Sequence, residues 1–209
     1  MQHLVIKTTA ALCLTAGVAW AENRIDTQLP SAPELAAYGD LPVGVRTLEM
    51  VNPNQIDILA IDPKAEKPAE WPRYDRPLTV EMWYPAAEGA TGDTTLKAYQ
   101  RDGTTEVVLQ GRAVRDATPA AAGADYPLVL ISHGFLLSHL AENIASKGYV
   151  VASIDHTDST YRTQAAFGST LVNRSLDQLF VLEQMAQMAA EGGAFAGLYN
   201  ADNTGLVGY

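Results

Sequence analysis

Apolar and polar residues alternate over residues 43–50 and again over residues 78–84, which is the pattern of strands with one buried and one exposed face. Prolines interrupt the stretch between the two segments, and proline is rare inside the strands of a sheet. We therefore predict two antiparallel strands separated by a loop. Residues 86–123 are rich in glycine, threonine, alanine and aspartate, with a weak strand signal only at residues 106–109. We interpret them as a mainly irregular segment that precedes the strands of the main core.

Continuous apolar runs replace this alternation in the second half of the chain. Residues 128–131 and residues 149–154 each form such a run, as expected of parallel strands that are covered on both faces. A third short run, residues 205–208, follows the turn-forming residues 200–203. These runs predict three parallel strands.

Two helices are predicted between the parallel strands. Ser138 can cap the first helix, and Gly148 supplies its end. Leu140 and Ile144 share one face of this helix. The second helix is predicted over residues 172–191, with apolar residues at helical spacing at Leu176, Leu179, Phe180, Met185 and Ala189. The element order predicts an α/β fold: a mixed, mostly parallel sheet with antiparallel first strands and helices on both faces.

The first 21 residues have the composition of a secretory signal peptide. Lys7 closes a short polar start, residues 8–18 are mainly apolar, and Ala19-Trp20-Ala21 places small residues at the cleavage positions. Because a membrane-spanning helix needs about 20 apolar residues, we favour cleavage after Ala21 over a permanent anchor. The predicted organisation is a signal peptide (1–21), an extended arm (22–42) and one domain (43–209).

Charge and composition exclude several classes of function. The formal net charge is −10 and becomes −11 when Lys7 leaves with the signal peptide, so a nucleic-acid partner is not expected. The only cysteine, Cys13, lies in the signal peptide, which excludes a cysteine nucleophile from the mature chain. No G-x-G-x-x-G sequence follows a predicted strand, and no cofactor is expected.

Several side chains of the types that bind divalent metals occur in the second half of the chain. Their spacing matches no ligand pattern, and H-E-x-x-H is absent, so we predict no metal site. The residues concerned are His133, His139, Asp155, His156 and Asp158.

Two segments resemble a known group of enzymes. Residues 126–135, YPLVLISHGF, and residues 138–161, SHLAENIASKGYVVASIDHTDSTY, are similar to the dienelactone-hydrolase-like and platelet-activating-factor-acetylhydrolase-like α/β hydrolases, with cutinase-like polyesterases as cousins. The resemblance implies the amino-terminal part of an α/β-hydrolase fold and the hydrolysis of carboxylic esters by a serine nucleophile through an acyl-enzyme. Its ordered pieces are His133-Gly134, Lys147-Gly148-Tyr149, Asp155-His156 and residues 205–209.

The resemblance also implies an oxyanion hole. In this fold one backbone N–H donor comes from the loop after the third strand and one from the residue after the nucleophile. The N–H of Phe135 takes the first position, and His133 and Gly134 support it. The alternative interpretation of His133-Gly134 is a tight turn between strand and helix.

Gly208 and Tyr209 match the first two positions of the G-x-S-x-G nucleophile elbow. The resemblance therefore places the nucleophile directly after Tyr209. Since the chain order in this fold is serine, acid, histidine, the acid and the base also lie beyond Tyr209, and the domain is incomplete. His139 and His156 are then not the catalytic base; with Asp155 they are predicted at the edge of the pocket.

The sequence thus predicts a serine ester hydrolase that is exported to the periplasm or secreted, although the 209 residues alone are expected to be inactive. Its substrate is expected to be a small-molecule or lipid-like ester, and no stable membrane anchor is expected after signal cleavage. The sequence does not predict the oligomeric state. Two alternatives stay open: a non-catalytic exported binding or scaffold domain, and a truncated pseudoenzyme.

Overall fold

The computed structural model describes residues 23–27, 35, 37–132 and 137–208. The predicted signal peptide lies outside the described residues. Within them, no helix combines the length and the apolar character that crossing a membrane requires.

Strands and two α-helices make up most of the described chain. The strands are β1 (Val43–Ile56), β2 (Arg73–Pro85), β3 (Thr95–Tyr99), β4 (Glu106–Gln110), β5 (Val114–Arg115), β6 (Tyr126–Ser132), β7 (Val150–Asp155) and β8 (Tyr199–Gly208). The helices are α1 (Ser138–Ala145) and α2 (Phe167–Ala189), and a 3-10 turn spans Ile58–Ala60.

Six of the described strands form one mixed sheet in the order β5-β1-β2-β7-β6-β8. β1 and β2 pair in antiparallel orientation, as predicted, but both extend well beyond the alternating segments. β7, β6 and β8 run parallel to one another, which confirms the three strands predicted from the apolar runs. The fold is therefore α/β, with antiparallel first strands beside a parallel group.

The two helices cover opposite faces of the sheet. Because successive residues of a strand point to opposite faces, Ala152 and Ile154 of β7 pack on the α2 side, whereas Val151 packs on the α1 side. Cores on both sides explain why β6 and β7 are continuous apolar runs. Further buried members of the α2-side core are Leu128, Leu130, Val181, Met185 and Leu198.

Residues 86–123 contain more structure than the sequence predicted. β3 and β4 pair as an antiparallel hairpin that forms its own two-stranded sheet, and β5 adds a short parallel strand beside β1. Leu96 and Leu109 of the hairpin are buried in the α1-side core together with Trp83. β3 was missed because it has five residues and buries only Leu96, which is too short a pattern to stand out.

The helix α1 is confirmed, but its predicted cap is wrong, and the two apolar residues predicted to share one face are not its most buried residues. Leu137 holds the N-cap position without a side-chain hydrogen bond to the helix, and Ser138 is the first helical residue. Leu140 and Ile144 are only half-buried. Gly148 follows the helix with a φ of 91°, a left-handed conformation that glycine tolerates. The buried residues of α1 are Ala141, Glu142 and Ala145.

The helix α2 is also confirmed, and its buried face also differs from the prediction. Leu176 and Leu179 are 42% and 60% exposed, whereas Met185 is buried. The amino-terminal part of the buried stripe is polar, because this half of α2 faces buried charged groups rather than a hydrocarbon core. The stripe consists of Ser169, Asn173, Asp177, Val181 and Met185.

Glu142 joins α1 to two segments that are distant in sequence. Its fully buried carboxylate accepts hydrogen bonds from the backbone N–H groups of Arg112 and Ala113, both at 2.8 Å, and from the Tyr38 hydroxyl at 2.9 Å. Burial and the neighbouring Glu142 carboxylate raise the pKa of Tyr38, so this hydroxyl keeps its proton and donates. The carboxylate thus fixes the end of the predicted arm and the segment after β4 to one helix.

Replacing Glu142 by alanine (Glu142→Ala) is expected to lower the free energy of unfolding by about 2 kcal/mol or more, because it leaves buried donors without an acceptor. Urea unfolding followed by circular dichroism measures this change. Glu183→Ala is the matched control, since Glu183 is exposed on α2, and its effect should stay within about 0.5 kcal/mol. Equal effects of the two substitutions would contradict the role of Glu142.

Candidate functional site

The carboxyl ends of β7, β6 and β8 lie side by side. In the register of the sheet, Ser132 of β6 is opposite both Ile154 of β7 and Gly208 of β8. In open α/β sheets ligands bind at this edge. The predicted oxyanion residues His133, Gly134 and Phe135, and the elbow residue Tyr209, lie outside the described residues, so the structure places Gly208 alone of that set.

Behind this edge, three side chains form a buried hydrogen-bonded chain. The hydroxyl Oγ of Ser132 lies 3.0 Å from Nε2 of His156, and Nδ1 of His156 lies 2.8 Å from Oδ2 of Asp177. Ser132 ends β6, His156 directly follows β7, and Asp177 belongs to the polar half of the α2 stripe. The chain therefore links two strand ends to α2.

The donors and acceptors of this chain are mutually consistent. The carboxylate of Asp177 accepts a hydrogen bond, so Nδ1 of His156 carries the proton of the neutral ring. Nε2 then accepts a hydrogen bond from the hydroxyl group of Ser132. The side-chain amide of Gln178 donates to Oγ of Ser132 at 2.7 Å. The Ser132 hydroxyl thus has a partner for its donor and for a lone pair.

Arg76 of β2 closes the chain at its acidic end. Its guanidinium makes two hydrogen bonds to Asp177, from Nε to Oδ1 at 2.8 Å and from Nη2 to Oδ2 at 3.0 Å. Arg76 also donates to the Tyr74 hydroxyl at 2.6 Å and to Oδ2 of Asp158 at 2.8 Å. Ser132, His156, Asp177 and Arg76 are called the Arg76 cluster below.

The Arg76 cluster also holds the loop that follows β7. Arg76 donates from Nη2 to the carbonyl oxygen of Thr157 at 2.6 Å. Asp158 has a φ of 73°, which is unusual for a residue other than glycine, and its carboxylate accepts from Arg76 and from Ser169 of α2. The left-handed conformation of Asp158 is thus maintained by hydrogen bonds from a strand and a helix.

The hydrogen bonds of the Arg76 cluster favour the charged forms of Asp177 and Arg76. Burial opposes ionisation of Asp177, but the hydrogen bonds from His156 and Arg76 outweigh it and lower the pKa of Asp177 below its usual value of 3.8. Burial likewise opposes the charge on Arg76, but the hydrogen bonds that Arg76 donates to Asp177 and Tyr74 raise its pKa above the usual value. The cluster is thus a buried ion pair with a histidine and a serine attached.

The geometry of the Arg76 cluster matches a nucleophile, a base and an orienting acid. Its burial does not match that role, because Ser132 is 4% exposed and His156 and Asp177 are fully buried. A reacting carbonyl has to approach the serine oxygen to within about 3 Å, and here that oxygen is covered. The covered oxygen does not fit a nucleophile, whereas the buried hydrogen bonds fit a structural role.

Sequence reasoning missed three members of this cluster. Ser132 was counted as part of an apolar strand, and Asp177 lay inside a helix whose leucines were predicted to face the core. A signal was present, since Ser169, Asn173 and Asp177 recur every four residues, which marks one helix face. A buried polar face requires partners in other elements, and a helix pattern alone does not identify Arg76.

The predicted pocket-edge residues lie in different environments. Asp155, the last residue of β7, lines a groove on the α1 side of the sheet together with Leu137 and Ser138. Its side chain reaches solvent, yet the groove wall partly desolvates the carboxyl group and raises its pKa. His139 is half-buried on α1, and His156 lies in the Arg76 cluster.

Metal-binding side chains do not converge in the described part of the chain. Among the described residues, no group of three or more histidine, cysteine, aspartate or glutamate side chains could hold a metal ion. The carboxylates of Asp177 and Asp158 are instead neutralised by Arg76.

Comparison with known proteins gives a consistent result. Residues 68–186, more than half of the chain, match the family model of platelet-activating factor acetylhydrolase, isoform II. The platelet-activating factor acetylhydrolase of Cavia porcellus is 31% identical over 118 residues, which cover 50% of this chain and 27% of that protein. The chain thus spans about a quarter of the length of this relative.

A solved structure shares the fold. Ferulic acid esterase from Streptomyces cinnamoneus superposes with a TM-score of 0.56 at 24% sequence identity, over 84% of this chain and 54% of that one. The likeness supports the α/β-hydrolase architecture, and the chain corresponds to about half of that enzyme.

Replacing Asp177 by alanine (Asp177→Ala) is expected to lower the free energy of unfolding by about 3–5 kcal/mol, because it leaves the buried guanidinium of Arg76 without its main partner. Chemical unfolding measures the change. Asp202→Ala is the control, since Asp202 is exposed on β8. A loss below about 1 kcal/mol for Asp177→Ala would contradict a buried ion pair.

Acid should weaken the fold through the same carboxylate. The pKa of Asp177 is lowered by folding, so its contribution is complete above pH 3.8 and is lost as the pH falls through the folded-state pKa. Below pH 3.8, the free energy of unfolding should therefore fall more steeply with acidification in the wild type than in Asp177→Asn. The folded-state pKa of Asp155 is raised, so its effect lies above pH 3.8, where Asp155→Asn should lose stability more steeply with acidification than the wild type.

Proposed function

The chain belongs to the platelet-activating factor acetylhydrolase, isoform II, family, and from this we propose that it is the amino-terminal part of a serine ester hydrolase that forms an acyl-enzyme. Hydrolysis of esters is the activity named for its relatives. The observation that supports the proposal in this chain is the register that sets Gly208 opposite Ser132, because it puts the proposed first residue of a nucleophile elbow level with the end of β6, from which the proposed oxyanion loop continues.

In the proposed mechanism, a serine that directly follows Tyr209 attacks the ester carbonyl. A histidine from later in the chain takes the serine proton, and an acid from later in the chain orients that histidine and stabilises its charged form. The negative charge of the tetrahedral intermediate is stabilised by the backbone N–H of Phe135, supported by His133 and Gly134, and by the N–H of the residue after the serine. The alcohol leaves, and water then hydrolyses the acyl-enzyme.

The described residues supply the frame for this chemistry. β6 leads to the proposed oxyanion loop and β8 leads to the proposed elbow, so their relative position sets the distance between the two. The Arg76 cluster holds the end of β6 to α2 and to the loop after β7. We propose that His156 acts only in this frame.

The proposed substrates are esters with a small acyl group, including lipid-like esters. The name of the Cavia porcellus relative supports an acetyl group, but this chain covers only 27% of that protein. We also propose that residues 1–21 direct export to the periplasm or the exterior, where the arm and the domain that begins at residue 43 would function. The proposed chemistry needs no cofactor.

The test compares two proteins with an active-site-directed fluorophosphonate probe. The 209-residue chain should remain unlabelled, whereas a protein that continues beyond Tyr209 with the residues its gene encodes should be labelled stoichiometrically and should hydrolyse p-nitrophenyl acetate. Replacing the serine after Tyr209 by alanine should abolish both signals.

Ser132→Ala serves as the matched control for the buried triad-like geometry. In the longer protein this substitution should leave labelling in place, since Ser132 is not the proposed nucleophile. Labelling of the 209-residue chain that disappears in Ser132→Ala would overturn the proposal and make Ser132 the reactive group. The absence of a serine after Tyr209 in the gene would also overturn it.

A further inference from the structure

A groove lies on the α1 side of the sheet, between β2, β7 and the β3–β4 hairpin. It encloses about 260 Å³, and an adjoining cavity of about 340 Å³ shares Trp83, Glu81 and Ser138 with it. Sites for drug-sized ligands measure roughly 300–1,000 Å³. The groove is therefore sized for a group smaller than a typical drug, such as one sugar ring, with room for extension into the adjoining cavity.

Three hydrogen-bonding side chains line this groove without a partner among the described residues. Ser153 and Asp155 are two residues apart on β7 and point to the same face, and Ser138 begins α1 beside them. The structure records no hydrogen bond or ion pair for these three side chains among the residues it describes. Together they offer two hydroxyl groups and one carboxyl group to a ligand.

The charges of the groove are largely compensated within the protein. Glu81 pairs with Arg115 at 2.8 Å, and Lys97 pairs with Glu106 at 3.1 Å. The guanidinium of Arg162 lies over the ring of Tyr99, 4.4 Å from its centre. Because the cationic side chains of the groove already have partners, an anionic ligand would lose its hydration without gaining a free counter-charge, and a neutral ligand is favoured over an anionic one.

The groove also presents aromatic surface. The buried indole of Trp83 contributes to both cavities, and the Tyr99 and Tyr161 side chains form a wall with Arg162. Aromatic faces pack well against the C–H faces of a sugar ring, while hydroxyl and carboxyl side chains at the rim bond its hydroxyl groups. This combination distinguishes a polyhydroxylated ligand from an alkyl chain, which would leave the polar groups unpaired.

We propose that this groove binds a sugar ring or a similar neutral polyol, held by Asp155, Ser153 and Ser138 against the aromatic wall. Resting on the proposed function, we further infer that this polyol is the remote part of the ester substrate. Ile154, Ser132 and Gly208 lie level across the sheet, and strand spacing puts the ends of β7 and β8 about 10 Å apart. An ester of a sugar can span that distance.

Direct binding to the 209-residue chain tests the groove without any need for turnover. The probes are methyl β-D-glucopyranoside, methyl β-D-xylopyranoside and cellobiose, with inorganic phosphate and decanoate as anionic and alkyl comparisons. Binding is measured by NMR titration, with the indole N–H of Trp83, assigned through Trp83→Phe, as the reporter. At least one sugar should shift this signal saturably at millimolar concentration.

Two variants and two controls locate the site. Asp155→Asn and Ser153→Ala should each weaken sugar binding, by about tenfold for the carboxylate. Asp202→Asn and Ser175→Ala remove the same groups from exposed positions outside the groove and should leave binding unchanged. All four positions are at least partly exposed, so the variants should fold, which thermal unfolding checks.

The outcomes distinguish a failure of the sugar-binding proposal from a failure of the proposed esterase activity. No saturable shift with any sugar, a shift with phosphate or decanoate alone, or sugar binding that Asp155→Asn leaves intact would each overturn the proposal. If the longer protein fails to hydrolyse esters while the sugar still binds, the proposed function fails and the groove assignment stands. If the longer protein hydrolyses p-nitrophenyl acetate with no sugar binding, the reverse holds.

Discussion

The buried ion pair between Arg76 and Asp177 is the interaction on which the arrangement of the sheet edge depends. Both side chains are almost completely inaccessible to water, so each charge relies on the other and on the surrounding hydrogen bonds. The pair joins β2 to α2, and through His156 and Ser132 it reaches the ends of β7 and β6. The positions of these strand ends therefore depend on a charge pair in the interior.

The Arg76 cluster and the groove differ in their access to solvent. Ser132 is linked by hydrogen bonds to a histidine and an acid, but its hydroxyl group both donates and accepts a hydrogen bond and is covered. Asp155, one residue before His156, points to the opposite face of the sheet and meets solvent in the groove. Adjacent residues at one strand end thus face the interior and the proposed ligand surface, because side chains alternate along a strand.

Much of the fold could be predicted from the sequence, because strands that are buried on both faces must be apolar and glycine marks the turns. The parallel strands β6, β7 and β8 and both helices followed from this pattern. The leucines of α2 misled the prediction, since Leu176 and Leu179 are exposed while Asp177 is buried. Of the candidate site, the sequence located Asp155 and His156 at a strand end but could not indicate Arg76, whose partner lies 101 residues away. Periodicity reports on one element at a time, whereas a buried charge is defined by its partner in another.

That separation of 101 residues also sets an order of events during folding. Arg76 must remain hydrated until Asp177 has joined it, because a lone guanidinium is costly to bury. β1 and β2 can pair locally as soon as both exist, but the interior on the α2 side cannot close around Arg76 before α2 arrives. A chain that emerges from its amino terminus would therefore hold a solvated β1–β2 hairpin until α2 has emerged. Because contacts of long sequence separation slow folding, we expect the interior on the α2 side to close late.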